Sequence, residues 1–245
     1  MLLSRPTGNI AGAHVQWHDH SLRDIPIALR IMNWQSAKYC RQCGTLLARQ
    51  WVATDGRDRL ACPACSDIHY ENPRILVTCL VEWNGLLLLC KRAQAPAIGG
   101  WTIPGGFMEI QETLELAVAR ETMEETGVVI DPARLDLHIV SSVPWMSEVY
   151  LGFRTIVTDP KITVGPECLD VRFFDEAEIP WDDLAFPETR GYLRLILHER
   201  RRGRRAINVT RIDATGGYRR EYHIVSHADI FQADVPTSRV SLGNR

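Results

Sequence analysis

The chain has no long apolar run. Its longest, Leu86-Leu87-Leu88-Leu89-Cys90, is the length of a strand and far short of the ~18 residues that a membrane-spanning helix needs. No membrane association is therefore expected. It also has little excess of charge: a net charge of -2 over 245 residues gives no global electrostatic reason to expect a nucleic acid or a lipid surface as partner. The opening MLLSRPTGNIAGAHVQW lacks the hydrophobic region of a secretory signal, so a cytoplasmic location is expected. What is present is ordinary for a globular protein, 45% hydrophobic and 24% charged. The length suits one domain plus a module or extensions.

Seven cysteines are an odd count, and four are grouped. Cys40-x-x-Cys43 is followed by Cys62-x-x-Cys65 at a separation that suits a tetrahedral Cys₄ zinc site. Gly44 after the first pair and Pro63 inside the second suit tight turns. Disulfides are one alternative, disfavoured by a reducing compartment. A redox-active pair is another, disfavoured by the presence of two such pairs. With no fifth ligand in view, the site is expected to be closed and structural. Cys79, Cys90 and Cys168 stand in apolar or strand-like surroundings and read as buried free thiols.

Four segments follow. Residues 1–35 form an N-terminal extension in which His20 to Trp34 has apolar residues at roughly helical spacing. Residues 36–70 form the zinc ribbon, with short strands over 46–52 and 59–61 joined through Thr54-Asp55-Gly56. Residues 71–203 form the main domain. In it Ile75 to Trp83 and Leu86 to Arg92 are strands joined by Asn84-Gly85, a hairpin signal. Further strands are expected over 135–140, 149–157 and 171–174, and an amphipathic helix over 188–202. Residues 204–245 contain two alternating runs split by Thr215-Gly216-Gly217, which predict a β-hairpin and tail. Arginines at 200, 201, 202, 204, 205, 219 and 220 make a locally basic patch, read as a solvated surface or dimer contact. Strands mixed with two helices predict an α/β (α+β) sandwich with a mixed sheet.

The chemistry concentrates between Gly106 and Val128. Glu121, Glu124 and Glu125 stand at i, i+3 and i+4, so a helix places all three on one face. Such a face is either solvated or a site for a hard divalent cation that prefers oxygen ligands. The flanks favour the second reading. Pro104-Gly105-Gly106 is a turn that permits close backbone approach. Gln111-Glu112 is expected to open the helix near its positive end, Gly127 to end it, and Arg120 to pair with Glu112 and orient the cluster.

The stretch resembles the Nudix box. Gly106, Glu112, Arg120, Glu121, Glu124, Glu125, Gly127 and Val128 all match, and Thr122 takes a position usually held by an aliphatic residue. With the ribbon ahead of it, the span from Tyr39 to about Arg202 is similar to a Nudix subgroup described as ADP-ribose or FAD pyrophosphatases. The matching pieces include Cys40-Arg41-Gln42-Cys43-Gly44, His69-Tyr70-Glu71-Asn72-Pro73-Arg74, Gly100 to Glu109 and Ile179 to Pro187. The related NADH pyrophosphatases carry a Ser-Gln-Pro-Trp-Pro-Phe-Pro run after the box; the nearest counterpart here is Ser142-Val143-Pro144-Trp145-Met146-Ser147.

The resemblance implies a Nudix α/β/α sandwich and Mg²⁺- or Mn²⁺-dependent hydrolysis of a nucleoside diphosphate linked to another moiety. It implies Glu121 and Glu125 as the main metal ligands, with Glu124 ligating or orienting and the Gly105 carbonyl completing the sphere. Arg120 and Glu112 would hold the glutamates. Glu167, and after it Asp170, is the candidate general base or further ligand outside the box. Trp101, Phe107, Trp145 and Tyr150 are candidates to stack on a base. A small nucleotide-like substrate and a homodimer are the expected partners, nucleic acid is not, and the ribbon would hold structural Zn²⁺. Two other functions stay open: a tailoring hydrolase acting on a phosphorylated biosynthetic intermediate, and a non-catalytic nucleotide-binding regulator.

Overall fold

The structure is a computed structural model, and it describes residues 37–203, 205–215 and 219–229. The helix expected over 20–34 lies outside the described residues.

The ribbon comes first. Strands β1 (Ala48–Val52), β2 (Arg57–Ala61) and β3 (Ile68–His69) form a three-stranded antiparallel sheet. Two similar turns carry the cysteines. Gly44 N–H donates to Cys40 O at 2.8 Å, and Ser66 N–H donates to Cys62 O at 2.9 Å. Each turn closes on a left-handed residue, Gly44 at φ 72° and Ser66 at φ 60°.

The main domain is built on β4 (Arg74–Trp83) and β5 (Leu86–Arg92). Asn84 at φ 48° and Gly85 at φ 83° make the turn between them, as a two-residue hairpin loop requires. Short strands β6 (Trp101–Thr102) and β7 (Gly105–Phe107) pair with β5 and β4 and lead into α1 (Leu114–Thr126). Then come β8 (Asp136–Val143), β9 (Glu148–Ile156), β10 (Cys168–Phe174), α2 (Pro187–Arg202), β11 (Ala206–Thr215) and β12 (Arg219–Asp229). Among the described residues the strand order is β10-β5-β4-β9-β8-β11-β12. β4 runs parallel to β9 and β8 parallel to β11, with the other neighbours antiparallel, so the sheet is mixed.

Alternation along the central strands explains the two helical layers. Val77, Cys79 and Val81 of β4, with Leu88 and Cys90 of β5, pack with Ala117 and Val118 of α1. Leu80, Leu87 and Leu89 face the other way, onto Tyr192, Leu193 and Ile196 of α2. The run Leu86–Cys90 is apolar throughout because both of its faces are covered. Among the described residues no helix is long and apolar enough to cross a membrane.

The hairpin of β11 and β12 extends the main sheet rather than standing apart from it. Ile212 is buried against Val143 and Tyr150. Asn208 Nδ2 donates to Glu199 Oε1 at 2.9 Å, and Arg154 Nη1 donates to Glu199 Oε2 at 3.0 Å. His138 Nε2 lies 3.2 Å from Glu199 Oε1. One buried carboxylate thus ties α2 to β8, β9 and β11. The nearby arginines are partnered at the surface: Arg200 with Glu82, Arg201 with Glu176 and Arg205 with Asp136.

Candidate active site

The site lies where β7 meets α1. The sequence predicts a helix opening at Gln111-Glu112; the helix instead begins at Leu114. Gln111 sits at φ 68°, outside the helix. Thr113 is the cap, its hydroxyl accepting from Leu116 N–H at 3.3 Å. Glu112 is thereby free to turn back. It accepts two hydrogen bonds from Arg120, at 2.9 and 3.0 Å, and one from Glu109 N–H at 3.1 Å. The Arg120 guanidinium holds the Glu112 carboxyl below its ordinary range, with the Glu109 amide adding to the effect. Gly127 ends α1 at φ 73°, its N–H donating to Met123 O. Thr122 is fully buried, and its hydroxyl donates to Val118 O at 2.7 Å, so the departure from an aliphatic residue leaves no unsatisfied group.

Arg120 is the hub. Besides Glu112 it bonds Glu121 at 2.7 Å, Glu124 at 3.1 Å and the Phe107 carbonyl at 3.1 Å. The three box carboxylates share one face yet differ in surroundings. Glu124 is exposed and Glu121 half-buried, while Glu125 is buried, with Oε2 accepting from Gly105 N–H at 2.9 Å. Burial pushes the Glu125 carboxyl up to about 7, with the Gly105 amide opposing and the Glu121 charge adding. Burial also raises Glu121, against the pull of Arg120 and with help from the charges of Glu124 and Glu167.

The glycines make the room. A Cβ on Gly106 would run into the Glu121 carboxylate, and one on Gly105 into Val77 O. The donor set is hard oxygen, and its buried member is short of positive charge. Both facts fit a divalent cation.

The loop that leads to Glu167 is laid on the C-terminal end of α1. Thr163 N–H donates to Thr126 O at 2.9 Å and Gly165 N–H to Glu125 O at 3.0 Å. Ala93 N–H holds the Glu167 carbonyl at 2.9 Å. Glu167 is exposed, and its charge is felt at Glu121. Asp170 instead turns to Arg172, at 2.6 Å, and to the Val171 amide.

The aromatic candidates do not converge. Trp101 is 6% exposed and packs edge-on to Phe174 in the α2-side core. Tyr150 is buried, donating to Glu148 at 2.8 Å, and Trp145 packs half-buried against the same cluster. Phe107 is the open one, 38% exposed, with the Arg74 guanidinium 4.3 Å from its ring centre.

In the sequence Cys90 and Cys168 each read as a buried free thiol. Both are buried, but they stand beside Glu125: the two sulfurs and a carboxylate oxygen lie within 4.8 Å of one another. The only signal in the sequence is that Cys168 follows Glu167, and that does not reveal its neighbour on β5.

In the ribbon, sulfur–sulfur distances are 3.6 Å for Cys40–Cys65, 3.4 Å for Cys43–Cys62 and 3.6 Å for Cys43–Cys65. A disulfide would bring two sulfurs to about 2.05 Å. Four thiolates about 2.3 Å from a common centre would be separated by about 3.8 Å. The geometry fits a shared metal ion.

The fold and this site define the class of protein. The NUDIX domain model matches residues 72–196 and the Nudix N-terminal zinc-ribbon model residues 38–71, and the chain belongs to the NUDIX family of hydrolases. Among solved structures it resembles a NUDIX hydrolase from Nitrosomonas europaea, with 41% identity, a TM-score of 0.67 and coverage of 72% of this chain and 99% of that one. Among curated proteins it is 33% identical over 114 residues to an ADP-ribose pyrophosphatase of Methanocaldococcus jannaschii, covering 45% of this chain and 67% of that one. It is 32% identical over 162 residues to an NAD-capped RNA hydrolase of Stutzerimonas stutzeri, covering 64% of this chain and 55% of the relative. The chain thus spans about half the length of the NAD-capped RNA hydrolases it matches.

Proposed function

We propose that the protein hydrolyses the pyrophosphate bond of a nucleoside diphosphate linked to another moiety, of ADP-ribose, FAD or NADH type, and releases a nucleoside monophosphate. The observation that carries this is the convergence of Glu121 and Glu125 on the Gly105-Gly106 turn, with Arg120 bonding Glu121 and the neighbouring Glu124. Mg²⁺ or Mn²⁺, held by these carboxylates and the Gly105 carbonyl, would neutralise the two phosphates and activate the attacking water. Arg120 and Glu112 set the direction of the ligands, as supporting groups do in metal sites. Glu167, exposed and near enough for its charge to be felt at Glu121, is suited to take the proton of the water. Phe107, open and flanked by Arg74, is the aromatic best suited to meet a base.

Zn²⁺ on Cys40, Cys43, Cys62 and Cys65 belongs to the same proposal, as do a homodimer and a cytoplasmic location. A purely binding role is disfavoured by the intact carboxylate cluster, for which nucleotide binding alone has no use.

The test is a panel of ADP-ribose, FAD, NADH and nucleoside triphosphates with Mg²⁺ or Mn²⁺. AMP release from a dinucleotide-like substrate is expected. Tight nucleotide binding with no turnover of any member would favour the regulator instead.

A further inference from the structure

Cys90 leaves the end of β5 on the α1 side of the sheet, and Cys168 opens the edge strand β10 beside it. Between them projects Glu125 from α1. The Cys90 sulfur lies 3.6 Å from Glu125 Oε2, and all three donor atoms fall within 4.8 Å of one another. Cys90 is 1% exposed, Cys168 9% and Glu125 8%.

Buried free thiols are common as small apolar side chains, but packing alone does not require two of them to close on one carboxylate. Zinc–sulfur bonds of about 2.3 Å and zinc–oxygen bonds of about 2.0–2.2 Å would set such donors roughly 3.5–3.8 Å apart. The Cys90–Glu125 separation already meets that range. Two sulfurs and one oxygen are a poor set for Mg²⁺, which wants oxygen, and a good one for Zn²⁺ or Cd²⁺. Three protein ligands leave a fourth position open.

We propose that Cys90, Cys168 and Glu125 form a second metal site, selective for a soft divalent cation, that competes with the hard-cation site for Glu125. A soft ion entering here displaces the thiol protons and engages the Glu125 carboxylate. It thereby withdraws that carboxylate from the Mg²⁺ ligand set. The protein would then be inhibited by Zn²⁺ or Cd²⁺ at concentrations that do not disturb the ribbon. This rests on the reading of Glu125 as a ligand of the catalytic cation.

The experiment uses the full chain with its ribbon zinc-loaded, in a thiol-free reductant. Cd²⁺ is added, the protein is passed through a desalting column, and bound metal is measured by mass spectrometry together with the ultraviolet thiolate-to-cadmium absorption. The wild type should carry one equivalent more metal than Cys90→Ala/Cys168→Ala. Cd²⁺ should also inhibit its Mg²⁺-driven turnover. Cys168→Ala alone, at the less buried edge position, serves if the double variant does not fold. Loss of a supporting group typically weakens metal affinity by about 10–100-fold, so loss of a ligand should raise the inhibitory Cd²⁺ concentration by at least roughly tenfold. Equal metal content and equal Cd²⁺ sensitivity in wild type and variant would overturn the proposal. An extra equivalent that leaves turnover untouched would overturn the competition. Glu125→Gln separates the two readings. If it stays active with Mg²⁺, the catalytic reading fails whatever the thiols bind. If it is inactive while the wild type takes up no extra Cd²⁺, the thiol site alone fails.

Discussion

Gly106 shows how a single missing side chain shapes this site. Its Cα faces the Glu121 carboxylate at a distance that leaves no space for a Cβ. The atoms in the way are the far end of a flexible side chain, so Gly106→Ala can be accommodated by moving that carboxylate. Stability should therefore change little while turnover falls by about 100-fold, the scale expected when a reacting group is misplaced by an ångström. Thermal melts and Mg²⁺-dependent kinetics on the same preparation check this, and an active alanine variant would show that Glu121 need not hold its position. At the residue scale the box was legible from sequence. Carboxylates at i, i+3 and i+4, an arginine to bind them and a closing glycine are chemistry written in spacing. The helix start is harder to read from sequence, because acidic residues ahead of a helix look like its first turn. In fact Thr113 offers the capping oxygen and leaves Glu112 to serve Arg120. Which aromatics stay open could not be read, because burial depends on what packs above each ring.

Strands and helices were largely legible where the pattern was strict. The alternation of β4, the turn residues Asn84-Gly85 and the amphipathic α2 each predicted their elements. Neighbours were not legible. Nothing in the alternating run of β11 says that it pairs with β8, or that Asn208 meets Glu199. That carboxylate supports a prediction of its own. Burial alone would raise Glu199, but the hydrogen bond and charge of His138, the Asn208 amide and the Arg154 charge outweigh it and leave it below the ordinary value of 4.5. A carboxyl lowered on folding contributes stability that is fully present above its unfolded pKa and is lost as pH falls through its folded one. Glu199→Gln should therefore cost roughly 3 kcal/mol at neutral pH, the scale of breaking a buried pair, and this deficit should shrink as pH drops below 4.5. Urea unfolding of both proteins across that range measures it. A deficit independent of pH would mean that the charge on Glu199 is not what binds the four elements together.

At the scale of the whole molecule, a small cysteine-clustered sheet precedes a sandwich whose mixed sheet is lengthened by a hairpin. The ribbon was legible because its two Cys-x-x-Cys pairs stand at a recognisable spacing, whereas the hairpin's docking was not. Among the described residues the ribbon has a small apolar cluster around Cys40, Leu47 and Cys62, too little to hold it folded without a cross-link. Cys62→Ser should lower the zinc content and open residues 40–65 to proteolysis, while the main domain keeps its melting transition. Purified wild-type protein without zinc would contradict the ribbon assignment.

The proposed function turns on box carboxylates that hold the cation driving pyrophosphate hydrolysis. Its most direct test is the Mg²⁺-dependent rate of AMP release from ADP-ribose, or from the panel member turned over fastest, by wild type and Glu125→Gln. With circular dichroism unchanged, we predict a loss of at least about 100-fold, since a neutral amide cannot replace a carboxylate ligand in stabilising the transition state. A folded Glu125→Gln protein with wild-type turnover would show that Glu125 does not hold that cation.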